Sequence, residues 1–573
     1  MKAKFSALFA LVMVVSMALS SCAPATQAPT TAPSAPEVAA TTAPVATEAA
    51  PAAPDASRYG GTMTWTIIGD IPGFEPILND NGDEIRIYSQ FSEPLFYGGE
   101  NYPSDWTPKL ATGYERSDDG LVWTIHLRPD VLWQDGTPFT ADDVLFWAQA
   151  IQDSKTTGAE WMHDRLYVDN EPFKFEKVDD LTVKITTAKP VPGLIGDICV
   201  PLIPKKWFVD NNISNADMVK SKFNIDSPIG TGPFQLTEYK KGEAAILTAF
   251  AQYWGGKPYL DSIVVRFIPE AAARVNALKT GEVDFERVNP QYAVDLANDE
   301  NIALLKKDVD MIDQFWFNVS KPMLADKRTR HALAYALDRQ AMLQAAYQGF
   351  GRVPDSPFSA FVTAYEPLPN YDYDPAKAQK ELEDVGWVKG SDGVYVADHV
   401  AGVDKGTRFV ITIDMTSTDI VEKTSDIMAQ SYWKAIGIDV TVRQMDYNVW
   451  NDQNSAKADK PFDVFFSGVG FLGSNGLAYG WLMANDKVNS NMSYENPQIN
   501  DLFNQAKQQE DPAQRDALLK QVAKIYWDDL PGLNLYYSQR IWAYNKRVHL
   551  EDAGFNNNMV GLFEFPQKIW VEK

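Results

Sequence analysis

The segment from Ser117 to Trp147 constrains the fold more than any other part of the chain, because turn, strand and helix signals follow one another in it without a gap. The turn residues Asp118-Asp119-Gly120 precede a run in which apolar and polar residues alternate, which predicts a half-buried strand. After a second turn at Gln134-Asp135-Gly136, Thr140 stands where a helix N-cap belongs, and Asp143 follows three residues later. The predicted order is therefore strand, hairpin-like corner and capped helix.

Three stretches of the sequence carry a family resemblance. DGLVWTIHLRPDV and QDGTPFTADDV in this segment, and PIGTGPFQL further on, closely resemble the solute-binding proteins of the peptide/nickel class, family 5, which feed ABC importers. The resemblance runs from about Tyr59 to the C-terminus. It implies an α/β fold of the two-lobed periplasmic-binding-protein type (type II, cluster C) with an extra small inserted α+β domain. It also implies a monomeric receptor without a cofactor, whose partners are a small solute and the permease subunits in the membrane.

The length of 573 residues requires more than one domain, since single domains rarely exceed ~250 residues. The resemblance divides the folded body into two lobes and an inserted domain, and the chain crossings between lobes I and III would form the hinge. Lobe I is expected at 59–100, 229–317 and 534–573, the inserted domain II at 101–228, and lobe III at 318–533.

The N-terminus has the pattern of an export signal. Lys2 and Lys4 precede the apolar run from Phe5 to Ala18, which is typical of a signal peptide over residues 1–21. Leu19-Ser20-Ser21 before Cys22 resembles the lipobox of bacterial lipoproteins, which implies cleavage before Cys22 and a lipid anchor on its sulfur. The alternative is an ordinary secretory signal followed by an unrelated cysteine. The expected location is the outer face of the cytoplasmic membrane, at the cell surface or in the periplasm.

Residues 22–57 consist almost wholly of Ala, Pro, Thr and Ser, a composition that buries too little surface to fold. This segment is therefore predicted to be a disordered, extended tether between the anchor and the folded body.

Composition excludes several functions. The formal net charge of −24 argues against nucleic acid and against an anionic membrane surface as partners. After Cys22 only Cys199 remains, so no disulfide can form within the body, and its apolar neighbours predict a buried, inert thiol. None of the five histidines stands in HExxH or another paired spacing, so the sequence gives no support for a metal site.

The chain after the predicted insert alternates strand and helix patterns. We expect strands at 234–239, 244–250, 263–268, 409–415 and 462–466, and helices at 270–278, 327–348, 375–385 and 420–436.

The segment Gly468-Val469-Gly470-Phe471-Leu472-Gly473 matches the dinucleotide-binding pattern GxGxxG. A dinucleotide site needs a helix that opens directly after the glycines, whereas Ser474-Asn475-Gly476 prolongs the loop. We therefore expect a loop of the interlobe cleft, which in the family offers backbone groups to the ligand. Its expected ligand contacts begin with Gly468, Val469, Gly470 and Phe471.

The same segment bears on the ligand. Peptide-binding relatives often hold the ligand's α-ammonium with an aspartate here, but this chain has none between Ser467 and Ala484. A buried ammonium without a carboxylate partner is costly. The segment instead offers aromatic and amide groups, which suit sugar rings: Phe471, Asn475, Tyr479 and Trp481, with Trp450 upstream. The alternative is that the aromatic residues only pack the lobe. Peptide, the family's commonest ligand, is expected, with oligosaccharide as the alternative.

Further cleft residues are expected at strand ends, because ligands of α/β lobes bind at the carboxyl ends of strands. These are Gly69, Asp70 and Phe74 after the first strand, and Tyr536 and Tyr537 near the return into lobe I. For Asp70 the alternative is an exposed turn residue.

An exported glycosidase is the competing class of function. It would need a pair of carboxylates ~5–10 Å apart, which a sequence cannot display. No GxSxG nucleophile motif occurs, and the acidic residues are scattered as on a solvated surface. We therefore expect no catalytic residue.

Overall fold

The computed structural model describes residues 56–79, 82–98, 106–416, 419–446, 449–450, 460–470, 476–509, 511–555 and 563–573. The predicted signal peptide, the lipidation site Cys22 and all but the end of the tether lie outside these residues, as do Phe471 and Asn475. No helix in the described ranges combines the length and the apolar character that crossing a membrane requires.

The described strands are, in chain order, β1 Thr62–Ile67, β2 Phe96–Gly98, β3 Trp106–Pro108, β4 Ala111–Arg116, β5 Val122–Leu127, β6 Tyr167–Val168, β7 Glu171–Pro172, β8 Lys174–Asp179, β9 Thr182–Thr186, β10 Phe234–Lys240, β11 Ala244–Ala249, β12 Ser262–Phe267, β13 Phe285–Arg287, β14 Ile302–Phe317, β15 Gly351–Arg352, β16 Trp387–Lys389, β17 Tyr395–Ala397, β18 Val410–Met415, β19 Asp439–Gln444, β20 Val464–Gly470, β21 Gly532–Asn545, β22 Val548–His549 and β23 Trp570–Val571.

The described α-helices are α1 Gly82–Tyr88, α2 Ala141–Gln152, α3 Glu160–His163, α4 Leu194–Asp197, α5 Lys205–Asp210, α6 Lys222–Ile225, α7 Ala271–Thr280, α8 Pro290–Leu296, α9 Pro322–Ala325, α10 Lys327–Tyr335, α11 Arg339–Tyr347, α12 Pro375–Val385, α13 Ile420–Ile436, α14 Gly480–Met483, α15 Pro497–Lys507 and α16 Pro512–Asp529.

One large sheet organises the body. Its strands follow the order β10, β11, β12, β1, β13, β21, β14, β20, β18 and β19, with β15 added beside β21. β1, β12 and β13 form one parallel set, and β18, β19 and β20 form another. Parallel strands of one sheet need crossover connections. α7 lies in the connection between β12 and β13, which flank β1, and α13 lies in the connection between the neighbours β18 and β19. This α/β alternation agrees with the predicted fold class.

Two long antiparallel strands join the parallel sets. β14 and β21 pair with each other, while β13 pairs with β21 on one side and β20 pairs with β14 on the other. Within the described sheet, every path from one parallel set to the other therefore passes through this strand pair.

A four-stranded antiparallel sheet in the order β4, β5, β9 and β8 forms apart from the large sheet. Along β5, Trp123, Ile125 and Leu127 are buried and the residues between them are half-buried, which confirms the predicted strand. The backbone N–H of Thr140 donates to Asp143 Oδ2 over 2.9 Å at the start of α2, so the predicted helix cap is also confirmed.

The buried hydrophobic side chains fall into separate clusters. One contains only residues between Ile77 and Phe223 and surrounds the four-stranded sheet. A second covers the set of β1, β12 and β13. Two more lie on opposite faces of β14 and β20. Separate clusters indicate separate cores; the exact domain boundaries stay a prediction.

Two predicted elements differ in the structure. The helix expected over 327–348 is two helices, α10 and α11, because the Asp338 side chain accepts the Ala341 backbone N–H and starts a new helix. The strand expected over 462–466 continues to Gly470 as β20. Gly468, Val469 and Gly470 therefore lie in the sheet and not in a loop, because their backbone pairs with β14.

Candidate functional site

The carboxyl ends of the two parallel sets converge on the middle of β14. β13 ends at Arg287, which lies opposite Trp542 of β21, and Trp542 lies opposite Leu305 of β14. From the other direction, β20 ends at Gly470, opposite Met311. Met311 is six residues beyond Leu305, a separation of roughly 20 Å at about 3.3 Å per residue. α/β sheets bind ligands beyond the carboxyl ends of their strands. The candidate site is therefore the gap between the ends of β13 and β20, along β14 from Leu305 to Met311.

The pairing of β14 with β21 is irregular inside the gap. Asp308 lies opposite Gln539, but the next pair is Ile312 with Tyr537, so β14 contributes more residues than its partner. β15 pairs with β21 at the same place, where Gly351 has a φ of 129° and a Cβ on it would lie 2.5 Å from the Tyr537 carbonyl oxygen. Such irregularities bend a strand, and only glycine fits this close approach.

The cleft residues predicted after β1 differ in exposure: Gly69 and Asp70 lie at the surface, whereas Phe74 is buried. Gly69 borders open space, and the exposed Asp70 accepts a hydrogen bond from the Tyr239 hydroxyl. Burial, together with this contact, raises the pKa of Tyr239. Phe74 is fully buried and packs edge-on against Tyr239, with ring centroids 4.9 Å apart. Phe74 therefore supports the partner of Asp70 from within the core, and a direct contact of Phe74 with ligand stays a prediction.

On the other side of the gap, the glycine segment forms one edge of β20. β14 pairs with all of β20, whereas the pairing of β18 with β20 in the described residues is limited to Val464 and Phe465. Gly468 is exposed, and a Cβ on it would lie 2.3 Å from Met311 Cε and 2.7 Å from Asp313 Oδ1. Val469 points into the core and is 4% exposed. The backbone of this segment thus borders the gap as a strand edge, and its contact with ligand stays a prediction.

The predicted aromatic contacts are mostly core residues. Trp450 is buried against Phe465, with ring centroids 4.5 Å apart. Tyr479 is fully buried, and its hydroxyl donates to Asp310 Oδ1 over 3.1 Å. Trp481 differs, because its side chain is 48% exposed beside Trp316. Phe471 and Asn475 lie outside the described residues, so their contribution stays a prediction.

Tyr536 and Tyr537 lie in β21 directly beside the irregular pairing, and both are buried. The Tyr536 hydroxyl lies 3.0 Å from Ser425 Oγ. The Tyr537 hydroxyl donates to the Ser356 carbonyl over 2.8 Å, and the Arg352 guanidinium lies 4.3 Å from the centroid of its ring. In this conformation both rings fix neighbouring segments beside the gap.

Sequence reasoning missed two buried aspartates of β14. Asp310 accepts from Ser359 Oγ over 2.5 Å, its other carboxylate oxygen has no hydrogen-bond partner, and burial raises its pKa to about 6. Asp313 accepts from the Tyr347 hydroxyl over 2.5 Å; burial raises its pKa, while Tyr347 and the charge of Arg540 lower it. Aspartate is rare in strands. The aspartates in the β14 stretch DVDMIDQFWF were therefore the signal from which these site residues could have been found.

The described residues contain no group of three or more His, Cys, Asp or Glu side chains placed to hold a metal ion. Cys199 donates to the Gly196 carbonyl over 2.9 Å, and burial raises the pKa of its thiol to about 11. The thiol is therefore protonated at neutral pH, although Cys199 is partly exposed and not fully buried as predicted.

Comparisons with known proteins point in one direction. The family model described as bacterial extracellular solute-binding proteins, family 5 Middle, matches residues 105–491. The glutathione-binding protein GsiB of Escherichia coli O1:K1 / APEC is 29% identical over 467 residues, which cover 78% of this chain and 84% of that protein. Two solved structures are similar in fold. The ABC transporter substrate-binding protein CtaP of Listeria monocytogenes has a TM-score of 0.80 at 25% identity, covering 90% of this chain and 100% of its own. The putative peptide-binding protein AppA of Clostridium difficile has a TM-score of 0.77 at 25% identity, and the match covers 89% of this chain and 100% of that protein's chain.

Proposed function

Because the chain belongs to the bacterial extracellular solute-binding proteins of family 5, we propose that it captures peptides in the gap between the two parallel strand sets and delivers them to the permease of its ABC importer. The glutathione-binding relative and the putative peptide-binding structure support a peptide as the solute. Binding without catalysis is the family's function.

Among the described residues, β20 has an unpaired edge beyond Phe465, and this free edge is the observation that carries the peptide proposal. Beyond Phe465 the described part of β18 does not pair with β20, although β14 pairs with it as far as Gly470. An extended peptide can add its own backbone N–H and C=O groups to such an edge. A sugar has no repeating amide ladder to match it.

Asp313 is the proposed partner of the peptide's ammonium. It lies opposite Gly468 in the sheet and supplies a carboxylate beside the segment that has no aspartate of its own. A Cβ on Gly468 would lie 2.3 Å from Met311 Cε and 2.7 Å from Asp313 Oδ1, so both side chains border the position that the glycine leaves empty. A shift of Met311 would open a path from the gap to this carboxylate.

Ligand-driven closure is the proposed mechanism of capture. The irregular stretch of β14 and β21 lies between the two strand sets, so bending there changes the width of the gap. A peptide that contacts both sides binds the closed form better than the open form, and only this difference in affinity can shift the equilibrium.

An oligosaccharide is the alternative solute. The half-exposed Trp481 is the described aromatic residue that favours it, since an exposed ring can stack on the apolar face of a sugar. Trp450 and Tyr479 offer no such face in this conformation because both are buried.

Thermal melting of the purified protein tests the proposal, because a ligand that binds only the native state raises the Tm. Three pools are compared: short peptides with free N-termini, the same peptides N-acetylated, and oligosaccharides. We expect the free peptides to raise the Tm most. Asp313→Asn should reduce that rise, whereas Asp404→Asn, at an exposed position outside the gap, should not. A rise with oligosaccharides alone would contradict the peptide proposal and support the alternative.

A further inference from the structure

Asp310 lies at the irregular place in the pairing of β14 with β21. Between the paired residues Asp308 and Ile312, three residues of β14 face a single residue of β21. Such a bulge leaves part of the backbone without ladder partners, so its shape depends on the side-chain contacts around it. The Asp310 side chain points away from solvent, and the residue is 2% exposed. Its contacts therefore help to set the shape of β14 where the gap lies.

Two hydroxyl groups hold the Asp310 carboxylate. Its Oδ1 accepts one hydrogen bond from Ser359 Oγ and another, over 3.1 Å, from the Tyr479 hydroxyl. The Tyr479 hydroxyl in turn accepts the Ser359 backbone N–H over 3.1 Å, so the three residues form a closed triangle. Ser359 lies in the connection between β15 and α12, and Tyr479 lies directly before α14. One carboxylate thus ties the irregular stretch to two segments that are distant in the sequence.

β21 contacts the same connection between β15 and α12. The Tyr537 hydroxyl and Asn534 Nδ2 both donate to the Ser356 carbonyl, over 2.8 Å and 3.0 Å. The Phe358 ring packs edge-on against Tyr479, with centroids 4.9 Å apart. The connection is therefore packed against both strands of the irregular pair. Because packed interiors transmit displacements, the stretch cannot change shape without moving these contacts.

The charge of Asp310 has little support besides the two hydroxyls. Its Oδ2 is buried and has no hydrogen-bond partner. Burial raises the pKa of Asp310 to about 6, the two hydroxyl contacts lower it, and in the described part of the chain no charged side chain pairs with it. The titratable groups that face it are Tyr479 and Tyr537, and burial raises the pKa of both well above its ordinary value. Both tyrosines therefore stay neutral while Asp310 titrates.

Protonation of Asp310 weakens the contacts that hold the irregular stretch. A hydrogen bond to a carboxylate is roughly twice as strong as one to a neutral acceptor. The two hydroxyls therefore hold the stretch more firmly when Asp310 is charged than when it is neutral. A stretch that is held less firmly populates the binding-competent shape less often, and the apparent affinity falls by the same factor.

We propose that Asp310 is a positioning residue for solute capture: its charged form fixes the irregular stretch of β14 in the shape that binds solute, and its protonation releases that shape and weakens binding. Capture is then tighter at neutral pH than in acidic surroundings. This inference rests on the proposed capture of a solute in the gap, but it holds for a peptide and for an oligosaccharide alike.

Calorimetric titration of the wild type and of Asp310→Asn between pH 5 and pH 7.5 tests the proposal. The probe is the pool of short peptides with free N-termini, or the oligosaccharide pool if only that pool raises the Tm. We expect the wild type to bind about 3- to 10-fold more tightly than the variant at pH 7.5 and equally at pH 5, because the variant is neutral throughout. Titration of Asp313 cancels in this ratio, since both proteins contain it.

A purely structural role for Asp310 gives a different result. Asp310→Asn would then weaken binding by the same factor at every pH, and this outcome would overturn the proposal. The exposed Asp404→Asn serves as control and should bind as the wild type does at each pH.

Ser359→Ala provides a second test that keeps the carboxyl group and does not depend on the folding of Asp310→Asn. Removal of a donor to the charged form raises the pKa of Asp310, so the pH midpoint of the affinity loss should move upward from that of the wild type. An unmoved midpoint would contradict the proposal and leave solute capture standing. Failure of the wild type to bind either pool would contradict the proposed function itself, and this inference with it.

Discussion

At the residue scale, the glycines of the PIGTGPFQL stretch show why particular side chains are excluded. A Cβ on Gly230 would lie 1.7 Å from the Phe91 carbonyl oxygen, and one on Gly232 would lie 2.8 Å from the Phe91 carbonyl carbon. The Gly232 backbone N–H donates to that same carbonyl oxygen over 2.8 Å. The stretch is thus a close packing of two backbones that leaves no room for a side chain at either glycine.

Gly230→Ala is expected to destabilise the protein by about 2 kcal/mol or more, because the backbone atoms it meets cannot rotate away as a side chain can. Gly113→Ala is the control, since a Cβ there has no neighbour within 4 Å. Chemical denaturation of both variants measures the difference. Equal stability of the two variants would contradict the packing described.

Asp426 makes a pH prediction at the same scale. It is fully buried in α13, neither carboxylate oxygen has a hydrogen-bond partner, and burial, followed by the charge of Glu422, raises its pKa to about 8. A folded-state pKa above the unfolded value means that the native state holds the proton more tightly. This contribution to stability is therefore fully present below the unfolded-state pKa of about 4, and it is lost as the pH rises from there to the folded-state pKa of about 8.

Asp426→Asn should remove that loss, because the amide stays neutral at every pH tested. We expect the Tm of the variant to exceed that of the wild type by an amount that grows between pH 5 and pH 8. The exposed Asp404→Asn serves as control and should follow the wild type. A constant difference across this range would show that Asp426 does not titrate as described.

At the scale of elements, Arg330 holds two helix ends together. Its guanidinium donates to the carbonyls of Leu324 and Ala325 at the end of α9 and of Asp529 and Leu530 at the end of α16. The last carbonyls of a helix lack partners within it, so one buried cation satisfies both ends.

Arg330→Lys keeps the charge but cannot reach four carbonyls, and we expect a loss of about 2–4 kcal/mol. Arg328→Lys, at an exposed position in the same helix, should change stability by no more than about 0.5 kcal/mol. Thermal and chemical unfolding measure both. A similar small loss in both variants would contradict the role given to Arg330.

Elements with strong local signals were predictable from the sequence. β5 and the cap of α2 follow from alternation and from Thr140 and Asp143, and α13 ends at Gly437 in a left-handed conformation as its position suggests. The break between α10 and α11 was missed because their apolar residues continue the same helical spacing across it. The extent of β20 was missed because glycines favour loops locally, whereas pairing with β14 overrides that preference.

The candidate site was less predictable than the fold. The positions of Gly69 and Asp70 follow from the end of β1, a local property. The placement of Asp313 beside Gly468 does not, because it depends on the pairing of β14 with β20 and β21. Tyr479 and Trp450 are aromatic residues of the kind that stack on sugar rings. Both are buried by partners that are distant in the sequence, so local sequence does not reveal their burial.

At the scale of the whole molecule, closure should reduce the size of the protein. A ligand that contacts both sides of the gap favours the bent-in form of β14 and β21. We expect small-angle scattering to give a smaller radius of gyration with the preferred peptide pool than without it. An unchanged radius at saturating peptide would count against closure as the mechanism of capture.

The proposed lipid anchor predicts where the whole molecule resides. Cys22→Ser removes the sulfur that would carry the lipid, so the protein should move from the membrane fraction to the soluble fraction of an expressing cell. Cys199→Ser is the matched control, because that thiol lies in the folded body and should leave the distribution unchanged. Retention of the Cys22→Ser variant on the membrane would contradict lipid attachment at this residue.

The position of β21 also determines when the chain can fold. This strand is among the last to be synthesised, yet it lies between β13 and β14, which precede it by more than two hundred residues. The large sheet therefore cannot be completed until nearly the whole chain is available, and contacts of such long sequence separation form slowly. This delay suits the export predicted from the N-terminus, because a chain whose large sheet is still incomplete can pass through a channel that the folded protein cannot enter.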